Sequence, residues 1–406
     1  MKIINPHFIL TPDKLLSNMA VAFDKTIKKI APLDELKKEY KNAQIITLDK
    51  NSLLMPGLIN AHVHLEFSAN KTELSYGDFI NWLYSVIENR EDLISKCQDD
   101  CIENAINAML ESGITTFGAI SSHGMDFEPC VNAPQNVVFF NELIGSQASM
   151  ADVLFSNFLQ RLDASKDVKR EGFYPAIAIH SPYSVHPILV KKALDIAKNE
   201  NLKLTAHFME SNAEREWLDS SSGDFKEFFE KLLKQQNSLT TTDEFLDYFK
   251  DKKTLFTHVV KANKDELENL AKNAHTIIHC PISNRLLGGG AIDLKNIQNL
   301  GIRWILATDG LSSNYKLDLF EEMKCALFMH SELLLLDLAK KLLLSVTKDA
   351  ADALELNTGE IKVGKNADMI VLDLDKEPND ELAIHLILHR YNVSKVFING
   401  KIKKGN

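Results

Sequence analysis

Leu54-Met55-Pro56-Gly57-Leu58-Ile59-Asn60-Ala61-His62-Val63-His64-Leu65-Glu66 is an apolar run that ends in two histidines one residue apart. It reads as a buried β-strand. Side chains alternate along a strand, so His62 and His64 point to one face. Two imidazoles on one side of a rigid backbone make half a site for a borderline metal such as zinc or ferrous iron. A His-x-His pair on its own better suits two half-buried histidines with ordinary hydrogen bonds. The rest of the chain reverses that reading, because it places further metal-type residues at the ends of further predicted strands.

Beyond this stretch, helix and strand alternate. Helical patterns span about 76–111, 153–162, 187–199 and 213–250, and apolar strand-like runs occupy 113–119, 136–142, 174–180, 202–207, 254–258, 275–280 and 303–309. Eight mostly apolar strands alternating with helices predict a parallel sheet closed as a (β/α)8 TIM barrel. An open doubly wound sheet is the alternative, but no glycine-rich phosphate loop follows the first strand. Short strand-like runs recur at both ends, among them Phe8-Ile9-Leu10, Gln44 to Leu48, Gly359 to Gly364, Ala367 to Asp373 and Val393 to Gly400. They predict a small β-sandwich built from both termini, with residues 1–54 and 351–406 flanking a distorted catalytic barrel of residues 55–350.

The 406 residues are 45% hydrophobic, enough for one large core and a smaller one. A net charge of −10 argues against a general nucleic-acid binder, which needs a basic face, and favours a small-molecule substrate. Five scattered cysteines without a CxxC pair suggest reduced thiols in a cytoplasmic protein. Cys97 and Cys101, four apart on a predicted helix, read as buried. The first residues carry no long apolar segment, and no apolar run approaches the ~18 residues of a membrane span. The expectation is a soluble protein.

Chemistry in such a barrel sits at the C-terminal ends of the strands. Polar residues there are His62 and His64 on the first strand, His180 on the fourth, His207 on the fifth, His258 on the sixth, His279 on the seventh and Asp309 on the eighth. With 13 histidines in the whole chain, this clustering points to a metal centre rather than to isolated core histidines.

The stretch Pro56 to His64, His207-Phe208-Met209-Glu210, His258, His279-Cys280-Pro281-Ile282-Ser283-Asn284 and Thr308-Asp309-Gly310-Leu311-Ser312-Ser313-Asn314 resemble the amidohydrolase superfamily. Within it they are similar to the branch of adenine-nucleoside deaminases and chlorohydrolases, and Gly359-x-Ile361-x-x-Gly364-x-x-Ala367-Asp368 matches that family's composite β-domain. The resemblance runs over essentially the whole chain. It implies one divalent metal ion, Zn2+ or Fe2+, held by His62, His64, His207 and Asp309, with hydrolytic water in the open position. It implies that His258 hydrogen-bonds that water, that Glu210 passes a proton from water to the ring nitrogen, and that Asp309 serves the departing ammonia. Dinuclear members carry a bridging lysine where this chain has His180, which favours one metal, although Glu142 on the third strand keeps a second open.

The resemblance also implies substrate contacts by His180, by Trp82 packing on a nucleoside, by Glu91 (or Glu88) on ribose hydroxyls, and by Ser313. His62-x-His64-Leu65-Glu66-Phe67-Ser68 is similar to the aminodeoxyfutalosine deaminases of menaquinone biosynthesis, whose substrate carries a carboxyphenyl-oxopropyl arm. Glu66 then becomes a specificity residue, and Arg285 a bidentate partner for the carboxylate. Deamination of methylthioadenosine, S-adenosylhomocysteine or adenosine is the nearest alternative. Guanine deamination, triazine dechlorination, formimino-group hydrolysis and a non-catalytic binding role follow. The family resemblance further suggests a homodimer. The segment 213–250 is expected to hang over the barrel mouth as a lid.

Overall fold

A computed structural model describes residues 1–89 and 100–405. Eight strands, labelled here in chain order, form one sheet: β1 (Leu58–Val63), β2 (Ile114–Ser121), β3 (Asn136–Leu143), β4 (Phe173–Ile179), β5 (Lys203–Phe208), β6 (Leu255–His258), β7 (Thr276–His279) and β8 (Arg303–Leu306). Each neighbouring pair from β1 to β8 runs parallel. Burial on both faces explains why these strands read as continuous apolar runs. Val138, Phe140, Ala176, Ala178, Ile278, Cys280, Ile305 and Ala307 fill the interior, joined by Ala350 and Ala351 of the helix Lys348–Ala353. Val137, Phe139, Ile177, Ile277 and Trp304 belong to the larger core formed with the surrounding helices.

Side chains close the barrel between β8 and β1. Asn60 Nδ2 donates to Thr308 Oγ1 at 2.8 Å, and the Thr308 N–H donates to Asn60 Oδ1 at 3.1 Å. The Asp309 N–H then reaches the His62 carbonyl at 3.2 Å. The first strand is also irregular. Ile59 and Ala61 face the interior whereas Val63 and Leu65 pack outward, and the pairing register with β2 shifts between Asn60 and Val63. A shift of this kind re-aims a strand end, so His62 and His64 face the pocket although Ile59 and Ala61 already occupy the inner face. Gly118 on β2 makes room for it, since a Cβ there would lie 2.3 Å from the Ala61 carbonyl oxygen.

The termini form two sheets. Four strands, Ile27–Ala31, Ala20–Phe23, Lys2–Asn5 and Gln44–Thr47, make one. The other joins Leu15–Ser17, Phe8–Leu10 and Ser52–Pro56 to Met369–Asp373, Asn392–Ile398 and Lys401–Lys404. Ile4, Val21, Phe23, Leu54, Met369, Val371 and Phe397 fill the space between them, with Phe23 and Phe397 edge to face at 5.6 Å. The expected boundary at residue 54 falls inside the strand Ser52–Pro56, which leads through Gly57 straight into β1.

Several details depart from the sequence reading. The eighth strand stops at Leu306, three residues before Asp309. Gly359 to Gly364 is not a strand, because both glycines take left-handed backbone, with φ of 81° and 90°. Segment 213–250 is three helices, Asn212–Ser220, Asp224–Leu233 and Thr242–Phe249, the first and third capped by Ser211 and Thr241. Cys130, Cys280 and Cys325 are free thiols as expected, but Cys101 is disulfide-bonded. Cys97 lies outside the described residues, as does Glu91. Among the described residues, no helix is long and apolar enough to cross a membrane.

Asn60→Ala would leave the Thr308 N–H without a partner in a fully buried position, while the Thr308 hydroxyl keeps the Asp309 carbonyl at 3.0 Å. An unsatisfied buried group costs about 1–3 kcal/mol, so stability should fall by about that much. Urea unfolding of the metal-free protein measures this. An unchanged midpoint would mean that the seam does not depend on this pair.

Candidate active site

The pocket at the C-terminal ends of the strands is built on turns of strained backbone. Met209 after β5, His258 at the end of β6 and Asp309 after β8 adopt φ of 52°, 73° and 59°, the left-handed region that non-glycine residues rarely occupy. Such strain persists only where the surroundings over-determine it, and here the surroundings are hydrogen bonds. Glu214, in the first turn of the helix Asn212–Ser220, accepts from the Met209 N–H at 2.9 Å and the Glu210 N–H at 2.7 Å. The Asp309 N–H is held by the barrel seam.

Three imidazoles converge in this pocket. The ring centroids of His62, His64 and His207 lie 4.9–5.3 Å apart. His207 Nδ1 donates to the His180 carbonyl at 2.7 Å, so its Nε2 carries only a lone pair, and that atom faces His64 Nε2 at 3.2 Å. His62 Nε2 is buried without a hydrogen-bond partner, while its Nδ1 lies 3.3 Å from Thr257 Oγ1. Asp309 Oδ1 stands 3.8 Å from His62 Nε2 and 3.7 Å from His64 Nε2. Its Oδ2 lies within hydrogen-bond reach of the Ser283 and Ser313 hydroxyls, at 2.7 and 2.9 Å. Burial pushes His62 and His207 well below the ordinary imidazole range, so both are neutral at physiological pH.

Imidazole nitrogens aimed at one point, beside a carboxylate fixed by two hydroxyls, suit a borderline divalent cation. The orphaned His62 Nε2 and the facing His64 and His207 nitrogens fit that group. Glu142, His180 and His207 form an overlapping trio of possible ligands. His207 has a single free nitrogen, so the two groupings compete for it and one ion is accommodated there at a time.

Glu210 and His258 stand next to this cluster. Glu210 Oε1 lies 3.3 Å from His258 Nε2, and that nitrogen lies 4.0 Å from Asp309 Oδ2. Burial, followed by the charges of Asp309 and Glu214, pushes the Glu210 carboxyl well above the usual carboxylate range. His180 borders the pocket. Its Nδ1 is held by Ser184 Oγ at 2.5 Å and Ser181 Oγ at 3.1 Å, and burial lowers it to about 4. Trp82, half-buried on the helix Phe79–Glu88, donates its indole N–H to the Ser312 carbonyl at 2.9 Å, which ties the loop after β1 to the loop after β8. Phe225 on the helix Asp224–Leu233 lies 6.0 Å from Phe79 and 4.5 Å from Tyr183, and Phe228 lies 5.3 Å from Tyr84. This helix therefore bridges the loops after β1 and β4.

Three expectations are revised. Glu66 accepts from the N–H groups of Ser122, His123 and Met125 at 2.8–3.0 Å, so both carboxylate oxygens hold the loop after β2 and neither is open to substrate. Ser313 is turned toward Asp309 and positions that carboxylate. His279 stands apart from the histidine cluster and pairs with His330. Arg285 is exposed on the short helix Pro281–Leu286 and forms no ion pair among the described residues. Sequence reasoning missed Glu214, although Ser211-x-x-Glu214 has the spacing of a capping box. It quoted Ser283 and Asn284 without giving either a role, and nothing in the sequence singles out Thr257.

The comparisons agree with this geometry. A profile described as the amidohydrolase family matches residues 53–403. The chain is 50% identical to an aminodeoxyfutalosine deaminase from Nitratiruptor sp., over 99% of both chains. It is 37% identical to an adenosine deaminase from Helicobacter pylori, over 96% of this chain and 95% of that one. The crystal structure of Helicobacter pylori aminofutalosine deaminase in complex with methylthio-coformycin superimposes with a TM-score of 0.93 and 36% identity, covering 99% of this chain and 100% of that one. With its barrel, its strand-end histidines and aspartate, and a match over most of its length, the chain belongs to the amidohydrolase family.

Proposed function

We propose that this protein is a metal-dependent hydrolytic deaminase that converts 6-amino-6-deoxyfutalosine to futalosine and ammonia, a step of menaquinone biosynthesis. The observation that carries the chemistry is the Glu210–His258 pair, 3.3 Å apart, set against three converging histidines and Asp309. Half-identity to an aminodeoxyfutalosine deaminase over nearly the full length supports the substrate. The barrel, from β1 to the helix Lys348–Ala353, carries the reaction, and the two sheets built from the termini flank it.

His62, His64, His207 and Asp309 would hold a divalent ion, zinc or ferrous iron, which would supply Lewis acidity toward the attacking water. The reaction adds that water to C6 of the adenine ring, saturates the C6–N1 bond, and then expels the amino group as ammonia. Glu210 is buried and favours its protonated form, so it delivers a proton to N1 as the oxygen adds to C6, and the first proton that the water loses restores it. His258 hydrogen-bonds the attacking water through Nε2. Asp309 carries the second proton toward the departing amine. His180, at the mouth, orients the base, and Trp82 closes one wall around the nucleoside. Arg285, exposed and without an ion pair among the described residues, meets the carboxylate of the substrate arm.

Deamination of adenosine or methylthioadenosine is the second reading. It is favoured by the likeness to the Helicobacter pylori adenosine deaminase and to the methylthio-coformycin complex.

Glu210→Gln keeps its shape but cannot deliver the proton. Turnover should fall by roughly 100-fold to 10,000-fold with metal content unchanged, whereas His207→Ala should lose both. Metal analysis beside an ammonia-release assay checks this, and an active Glu210→Gln enzyme would remove Glu210 from the proton transfer.

Ammonia release from aminodeoxyfutalosine should exceed release from methylthioadenosine, S-adenosylhomocysteine, adenosine and guanine by orders of magnitude. Arg285→Ala should raise KM for aminodeoxyfutalosine by about fivefold, the scale of an exposed ion pair, and leave KM for adenosine unchanged. Equal rates on the sulfur nucleosides would favour the second reading.

A further inference from the structure

A line of hydrogen bonds leads from the pocket to the surface. His258 Nδ1 lies 2.8 Å from Asn284 Oδ1, and Asn284 Nδ2 lies 3.1 Å from His279 Nδ1. His279 Nε2 lies 3.1 Å from His330 Nε2, and His330 Nδ1 lies 3.3 Å from Glu332 Oε1. His258, Asn284, His279 and His330 are at most 1% exposed, whereas the Glu332 side chain is 43% exposed.

Donor and acceptor chemistry fixes the direction of this line. The ionised Glu332 carboxylate only accepts, so His330 Nδ1 donates. A neutral imidazole has one N–H, so His330 Nε2 accepts, and the proton in the next contact belongs to His279 Nε2. His279 Nδ1 must then accept from the Asn284 amide NH2. That turns the amide oxygen toward His258, whose Nδ1 carries the proton. Burial supports one proton per ring along the outer part of the line, since it lowers His279 and His330 below the ordinary range. The remaining nitrogen, His258 Nε2, is left bare, and it is the atom that faces Glu210 Oε1.

We propose that Glu332, His330, His279 and Asn284 form a positioning relay that holds His258 in its Nδ1–H tautomer, so that Nε2 meets the reacting water as a hydrogen-bond acceptor. The relay's part in turnover rests on the deaminase reading, whereas the tautomers do not. The opposite tautomer would aim an N–H at Glu210 and at the water, and His258 could then only donate. Loss of the outer partner of an active-site histidine typically costs 10-fold to 100-fold in activity.

The test is a long-range 1H–15N spectrum of the zinc-loaded protein, with histidines assigned by single substitution. His258 and His330 should appear as Nδ1–H and His279 as Nε2–H. His330→Leu should lower kcat by about 10-fold to 100-fold with KM within about twofold, and should remove the single tautomer at His258. His330→Gln, whose amide oxygen accepts from His279, should restore both. His279 found as Nδ1–H in the unsubstituted protein overturns the relay, and so does wild-type kcat in His330→Leu. Loss of kcat in both variants with the His258 signals unchanged also overturns it. If the unsubstituted protein releases no ammonia from any adenine nucleoside, the deaminase reading fails, and the spectrum alone decides the relay.

Discussion

Two imidazole nitrogens, His64 Nε2 and His207 Nε2, face each other at 3.2 Å in a buried pocket. A proton or a cation has to lie between them, and most of the molecule's unusual features serve to hold that contact. The shifted register of β1 turns His62 and His64 inward together. The His180 carbonyl takes the Nδ1 proton of His207 and so leaves Nε2 bare. The Asn60–Thr308 pair closes the barrel where β1 meets β8, and it brings Asp309 to the same point as the histidines. A metal-binding geometry built this way is paid for by folding energy elsewhere, here by seam hydrogen bonds and by aliphatic packing on both faces of the sheet.

What the sequence made legible was whatever depends on period and composition. Apolar runs bounded by polar residues located seven of the eight barrel strands to within about three residues, because strands buried on both faces must be apolar throughout, whereas the first run also took in part of the separate strand Ser52–Pro56. His62, His64, His207 and Asp309 were legible because each ends such a run. Register and direction were not legible. Simple alternation would have sent His62 outward after Ile59 and Ala61, and only the irregularity in pairing corrects it. His279 carried the same strand-end signal as His207 yet turns away, since Asn284 and His330 engage both its nitrogens. The short edge strands Leu15–Ser17 and Lys401–Lys404 were missed because three or four residues of mixed polarity carry no period.

The buried carboxylates near the site show how structural and chemical acids differ. Glu66 is held by three backbone N–H groups, Glu214 by two, and Glu322 by the Ile282 N–H and the Asn314 amide. Each ties down backbone: Glu66 the loop after β2, Glu214 the turn that carries Glu210, and Glu322 the segments that carry Ser283 and Ser313, although burial still pushes Glu214 up to about 7 and Glu322 above the usual carboxylate range. Glu210 has no such donors: among the described residues its carboxylate meets only the His258 ring. A buried carboxyl without donors favours its proton, and a proton held in that way is available to a substrate. Glu142 is intermediate, with one oxygen on the Ser122 hydroxyl and the other unpartnered. A glutamate's identity and its burial therefore say little about its role in this fold. The number of N–H and O–H groups already bound to it sets Glu210 apart from the other four, and that number depends on loop geometry that the amino-acid sequence encodes only through caps such as Ser211-x-x-Glu214.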